Sequence, residues 1–399
     1  MADGALELLT YSALYPNSLQ PRHGIFVAQR LSQLMADCGV SARVMAPVPW
    51  FPSRAPMFGQ YGVYAGVPRE ESYGGLQVFH PRFAVVPKLS WQISPWLLYQ
   101  ATRGLAARLH RARPYAVIDA HFFYPDGVAA VLLGRELGVP VTITARGSDI
   151  TEMPDYRLPR RWIQWAGQHA QEIITVCAAL RERLVELGVP GEKVTVLRNG
   201  VDLERFSPGD RRAARAALDI HGPMLLSVGN LIELKGHHLI IDALRALPQH
   251  TLLIIGSGPE RQALERRARE QGVAHRTRFV GLVAQSELRQ YYTAADALVL
   301  ASSREGWANV LLEAMACGTP VVATRVWGTP EVVAAPAAGV LIDARSAVGI
   351  AAGVARLAAA ALTREATRAY AENFSWRDTS VGQMEVFSRA IARHHGGRL

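Results

Sequence analysis

Short apolar runs alternate along this chain with stretches in which apolar residues recur every third or fourth position. The runs are Ala5 to Tyr11, Ser41 to Pro47, Tyr115 to Ala120, Val139 to Thr144, Ile173 to Val176 and Val194 to Leu197. They resume at Met224 to Val228, Thr251 to Ile255, Arg278 to Gly281, Ala297 to Ala301 and Pro320 to Ala323. Runs of this kind predict strands buried on both faces. Between them Phe26, Val27, Leu31 and Leu34 share one helical face, as do Val310, Leu311, Ala314 and Met315 ahead of Gly318, a natural helix stop. Strand, loop, helix and strand in repetition predict parallel α/β sheets. The alternation is interrupted by Asn199-Gly200 and by Ser207-Pro208-Gly209-Asp210, which are turn signals. The expected division is a first α/β domain over 1–207, a second over 208–375, and a terminal amphipathic helix from Trp376 to about Arg393 within 376–399. Residues 48–100 show no clear period and are expected to be irregular. Asp126 is expected to cap the helix that starts near Val128.

Composition narrows the class. At roughly 150 residues per domain, 399 residues fit two or three domains, and 49% hydrophobic residues supply ample core. Forty-three Lys and Arg against 34 Asp and Glu leave a formal charge of +9, which suits anionic partners. No basic recognition helix stands out, so nucleic acid is not an expected partner. Cys38, Cys177 and Cys317 lie far apart and form neither a zinc ribbon nor a disulfide framework. The start lacks a signal-peptide pattern and no run approaches the ~20 apolar residues of a membrane span, so a cytoplasmic setting is expected. Aromatic and basic residues interleave over 48–100, from Trp50 and Arg54 to Lys88 and Trp96, and again in Arg157 to Trp165. Two readings stay open there: a peripheral, anionic membrane or glycan face, and a loop region packing its own aromatics.

The candidate chemistry sits at strand ends, where open α/β sheets bind ligands. Glu305 falls in the loop after the strand at Ala297, and Glu313 is placed about two turns into the next helix. That helix start offers unpaired N–H groups suited to phosphate. His121 ends one strand, and Arg146 and Asp149 follow another as candidate contacts for phosphate or an anionic acceptor. Lys235 follows the strand ending at Val228 and can set a point charge on a diphosphate. Gly24 opens a helix beyond a strand end, where a simple turn glycine and close ligand approach are equally good explanations. Gly256-Ser257-Gly258 follows a strand, but Arg261 stands where a dinucleotide fingerprint needs glycine. The chain contains no Asp-x-Asp, so a carboxylate-held metal is not expected.

The contiguous stretch Glu305-Gly306-Trp307-Ala308-Asn309-Val310-Leu311-Leu312-Glu313 through Cys317-Gly318-Thr319-Pro320-Val321-Val322 resembles the paired-glutamate signature of retaining glycosyltransferases of family 4, the group 1 type. Trp307-Ala308 departs from the Phe-Pro type pair often found there, close to the donor. The resemblance implies a GT-B fold: two Rossmann-like parallel-sheet domains facing a central cleft, with the C-terminal helix crossing back to the first. It implies transfer of a sugar from a UDP- or GDP-sugar to a hydroxyl of a glycan or lipid-linked glycan. Configuration would be retained by front-face attack, without a metal cofactor. The Arg-Gly-Ser-Asp version at Arg146 resembles bacterial members that build exopolysaccharide or teichuronic-acid-type polymers. By the same resemblance His121, Glu305 and Lys235 are catalytic. Gly24, Asn230, Gly256, Gly258, Gly281, Leu282, Arg304, Gly306, Trp307, Ala308, Asn309, Val310 and Glu313 contact the donor. Similar transferases carry Arg where this chain has Asn230, and Arg304 or Arg146 are candidates to take over its charge. A donor-binding subunit without turnover and a same-fold epimerase or phosphorylase are the alternatives.

Overall fold

A computed structural model of the chain describes residues 6–85 and 90–396. Ala5, Lys88 and the last three residues, on which parts of the expectations above rest, lie outside the described residues. The chain forms two compact units, one made of 1–198 with 376–399 and the other of 199–375.

The first unit is built on an eight-stranded sheet. Its strands are β1 (Glu7–Tyr11), β2 (Ser41–Met45), β3 (Glu70–Tyr73), β4 (Leu76–Phe79), β5 (Val117–His121), β6 (Val141–Ala145), β7 (Glu172–Thr175) and β8 (Val194–Val196). Their spatial order is β8-β7-β6-β5-β1-β2-β4-β3. All neighbours run parallel except the edge hairpin β3–β4. β1, β5, β6 and β7 are buried along their whole length, as the mainly apolar runs required. Helices α1 (Ile25–Cys38) and α2 (Val128–Leu137) follow β1 and β5. Residues 48–100 are not irregular throughout. Gly74 and Gly75, both at positive φ, turn the β3–β4 hairpin, and helices occupy Gln60–Gly66 and Ser94–Ala112. The expected cap at Asp126 is also corrected. The helix is capped by Gly127 without a side-chain bond, Tyr124 ahead of it is extended, and the Asp126 carboxylate accepts the N–H of Ala13 in the loop after β1.

The second unit has six parallel strands: β9 (Met224–Val228), β10 (Thr251–Ile255), β11 (Thr277–Gly281), β12 (Ala297–Leu300), β13 (Val321–Thr324) and β14 (Gly339–Ile342). Their order is β11-β10-β9-β12-β13-β14. Helices α3 (His237–Ala243) and α4 (Asn309–Ala316) follow β9 and β12. Leu225, Ile240, Ile241, Leu252, Val299 and Val322 lie in its core.

The units part at 198/199 and not at the Ser207-Pro208 turn. Residues 199–206 are tied to the second unit: Val201 N–H donates to Phe374 O at 3.0 Å, and the Phe206 ring meets Tyr292 edge-on at 5.9 Å. The last helix, α5 (Trp376–Gly396), belongs to the first unit. It buries Val386, Phe387 and Ala390, with Phe387 joining Leu8, Leu34 and Val117. No single helix among the described residues is long and apolar enough to cross a bilayer.

Candidate functional site

In the second unit, three loops at the C-terminal strand ends are pressed together because glycine leaves no Cβ between them. Gly236, at φ 69°, starts α3, and a Cβ there would lie 2.1 Å from the carbonyl oxygen of Ala301. A Cβ on Gly256 (φ 147°) would lie 1.9 Å from Gly229 O, and one on Gly258 would lie 2.4 Å from Leu231 O. His237 locks the same turn. The carbonyl of Asn230 can only accept, so Nε2–H donates to it (3.2 Å) and Nδ1 receives the Ser227 hydroxyl (3.0 Å). Burial pushes the His237 pKa down to about 4, so the ring stays neutral.

This packing carries Lys235 to Glu305. Nζ lies 2.6 Å from Oε1, and the Ser302 hydroxyl donates to the same oxygen at 2.6 Å. The loop is braced from behind: Thr324 donates to Ser302 O (2.6 Å), Arg345 to Ala301 O (2.9 Å), and Gly328 N–H to Glu305 O (3.2 Å). Arg304 and Gly306 flank Glu305 in this loop.

Glu313 lies in the second turn of α4, nearer its start than expected, because the helix begins only at Asn309. Its carboxylate accepts the Tyr292 hydroxyl at 2.7 Å. Burial raises its pKa to about 7, against the opposing pull of that hydrogen bond and of Arg205. The N-terminus of α4 has no side-chain cap and no acidic residue in its first turn, so its free amides keep their partial positive charge. Trp307 and Ala308 are buried just before it, and Asn309 and Val310 form its first positions. The Asn309 side chain accepts from Asn199 at 3.2 Å. The indole N–H of buried Trp307 meets no acceptor among the described residues. Gly256 N–H donates to Gly281 O at 2.8 Å, which brings the end of β11 beside the same loops and leaves Leu282 exposed. Asn230 is exposed, and only its backbone is engaged in the turn. A cation, two carboxylates and an open helix end on one sheet edge can hold a ligand with both phosphate and hydroxyl groups.

The candidates of the first unit form a second group. Arg146 can only donate, so it gives its N–H to His121 Nδ1 (2.7 Å), and His121 Nε2–H donates to Asp119 (3.1 Å). Burial depresses the His121 pKa, against the pull of Asp119, and the ring is neutral with both nitrogens engaged. Asp119 also receives Thr142 (3.0 Å) and the Gln383 amide of α5 (2.9 Å), and Gln383 in turn accepts from buried Arg30 (2.8 Å). Asp149 is buried and clamps the backbone, accepting the N–H groups of Phe123 (2.6 Å), Arg146 (3.1 Å) and Gly147 (2.7 Å). Gly24 (φ 62°) is demanded by its own chain, since a Cβ there would sit 2.1 Å from Leu14 O. Sequence reasoning missed Tyr292, Ser302, His237, Asp119, Gln383 and Arg30. Each acts through a partner distant in sequence or on a backbone turn.

Both halves of the chain match known families. Residues 210–374 match the family described as glycosyl transferases group 1, and 26–205 match glycosyltransferase family 4. A D-inositol 3-phosphate glycosyltransferase of Catenulispora acidiphila is 36% identical over 391 residues, covering 90% of this chain and 88% of its own. A Bacillus subtilis protein named for teichuronic acid biosynthesis is 26% identical over 336 residues, covering 81% and 82%. The crystal structure of Anabaena HepE with UDP-glucose superposes with a TM-score of 0.72 at 18% identity, covering 96% of this chain and all of that one. The strand ends that gather Lys235, Glu305 and Glu313 therefore belong to a glycosyltransferase, a member of family 4 with the GT-B fold.

Proposed function

We infer that the protein moves a sugar from a UDP- or GDP-sugar to a hydroxyl of a glycan or lipid-linked glycan, with retention, in building a surface polysaccharide. The observation that carries this reading is the 2.6 Å pair of Lys235 and Glu305 beside the uncapped start of α4. Lys235 and the amides around Asn309 and Val310 take the charge of the departing diphosphate. Glu305, partly neutralised by Lys235, accepts hydroxyls of the sugar. Glu313, held by Tyr292, receives the ribose. HepE, which binds UDP-glucose, and the teichuronic-acid relative support the donor class and the polymer. In this reading the neutral imidazole of His121 supports its strand end and is not a titrating base.

The test is release of nucleoside diphosphate by the purified protein with candidate donors and acceptors. Lys235→Ala and Glu305→Ala should each lower the rate about a hundredfold or more, and EDTA should leave it unchanged. Full activity in both variants removes the proposed site. Inverted anomeric configuration in the product removes retention alone.

A further inference from the structure

The first unit carries a surface that donor chemistry leaves unused. Loops leaving the ends of the parallel strands β2, β4 and β6, on one edge of the sheet, hold large apolar side chains out in solvent. Met57 is 84% exposed, Trp50 56%, Trp96 50% and Tyr156 49%, and Phe58, Ile93 and Leu158 are exposed as well. These side chains stand on rings packed beneath them. Phe51 contacts Phe58 at 5.1 Å and Tyr61 at 5.3 Å, and Trp91 meets Tyr156 edge-on at 4.6 Å. The Tyr124 hydroxyl donates to the carbonyls of Trp91 (2.6 Å) and Gln92 (3.0 Å) and fixes that segment.

Charge gathers on the same loops. From Val48 to Phe83 the sequence holds Arg54, Arg69 and Arg82 against two acids, Glu70 and Glu71. Glu71 is spent on His80 (2.8 Å) and on the N–H of Ser18, and Glu70 on Gln77. Arg82 is crowded by Arg69 and Arg54, and those like charges add to burial in depressing its pKa. Arg43, Arg103 and Arg215 all have carboxylate partners, whereas among the described residues Arg54, Arg69, Arg157 and Arg161 form no ion pair. Arg157 and Arg161 also line an open cavity of about 410 Å³ with Trp91, Tyr156 and Leu158.

We propose that this rim docks on an anionic bilayer. Trp50, Trp96 and Tyr156 lie at headgroup level, Met57 and Phe58 reach below it, and the unpaired arginines face lipid phosphates. Aromatic side chains with one polar end settle at such interfaces, and each arginine adds attraction to acidic lipid. A second copy of the chain is a poorer occupant, because a twofold contact sets each arginine cluster against its own image. Nucleic acid would leave Met57, Ile93 and Leu158 without an apolar partner. The inference does not depend on the donor site.

Flotation of the full chain with phosphatidylcholine vesicles, with and without phosphatidylglycerol, tests it. The protein should float with the phosphatidylglycerol vesicles and release as salt rises. Arg54→Ser and Arg69→Ser should each lower partitioning about fivefold, and Trp50→Ser with Met57→Ser about tenfold or more. Those two apolar changes should leave melting temperature and donor turnover without vesicles unaltered. The proposal is overturned if the protein ignores phosphatidylglycerol vesicles at low salt, binds neutral ones equally well, or keeps full partitioning in these variants. Loss of turnover with vesicle binding intact would instead count against the donor site.

Discussion

Glu313 shows how one side chain ties the site to pH. Its proton is held more tightly in the folded protein, with a pKa near 7 against an ordinary 4.5. The stabilisation is therefore complete below about pH 4.5 and is lost as pH rises through 7. At about 1.36 kcal/mol per unit the loss is roughly 3 kcal/mol. Glu313→Gln should flatten the fall in melting temperature between pH 5 and 8. Asp126, also raised to about 7 by burial, contributes with the same sign, so the wild-type-minus-variant difference isolates Glu313. An unchanged slope in Glu313→Gln would mean the carboxyl group ionises freely. The two glutamates stood out in one contiguous motif, and Lys235 by its place after a strand. The groups that hold them did not. Tyr292 and Glu313 lie on successive helices with a strand between them, and Ser227 and His237 meet only because a turn closes. Nothing in the order of residue types encodes such pairings. The first unit repeats the lesson, since His121 stood out by position while Asp119 and Gln383, which seal it, did not.

At the scale of elements, apolar runs placed most strands to within a residue or two, because strands buried on both faces admit few polar residues, such as Asp119 and Ser227, which have hydrogen-bond partners. The hairpin β3–β4 escaped because an edge pair is half exposed, as the alternating burial of β3 illustrates. Its Gly74-Gly75 turn was the available signal. Gly256 and Gly258 stood out as donor contacts, yet the backbone sets them a stricter task, which is to let loops touch. Gly256→Ala should cost at least ~3 kcal/mol, from a Cβ 1.9 Å off a carbonyl oxygen at an unfavourable φ. Gly39→Ala, at φ 65° with nothing within 4 Å, should cost only about 1–2 kcal/mol. Urea unfolding of both variants checks the contrast, and equal losses would show that backbone strain, not loop contact, governs both positions.

At the scale of the whole molecule, the two rounds of strand–helix alternation were visible in the chain, whereas the exact parting at 198/199 depended on contacts of Val201 and Phe206 that no turn signal reports. The closing helix α5 carries the largest structural consequence. Phe387→Ala should destabilise the first unit by about 3–5 kcal/mol. Deleting residues 376–399 should do more, because Gln383 also satisfies buried Arg30 and Asp119. Hydrogen exchange should then quicken in β1 and β5 while β9 and β12 stay protected. Uniform exchange across both sheets would contradict a loss confined to one unit.

That helix also sets the order in which the protein can be finished during synthesis. The segment 199–375 brings its own ends together where Val201 meets Phe374, so it can close as soon as it leaves the ribosome. β1 and β5, made before that segment, must wait for α5 behind it before Asp119 and Arg30 are covered. The unit begun before residue 199 is thus sealed only after 199–375 has been made, and a nascent chain stalled ahead of α5 would expose an unsealed sheet to chaperones and proteases.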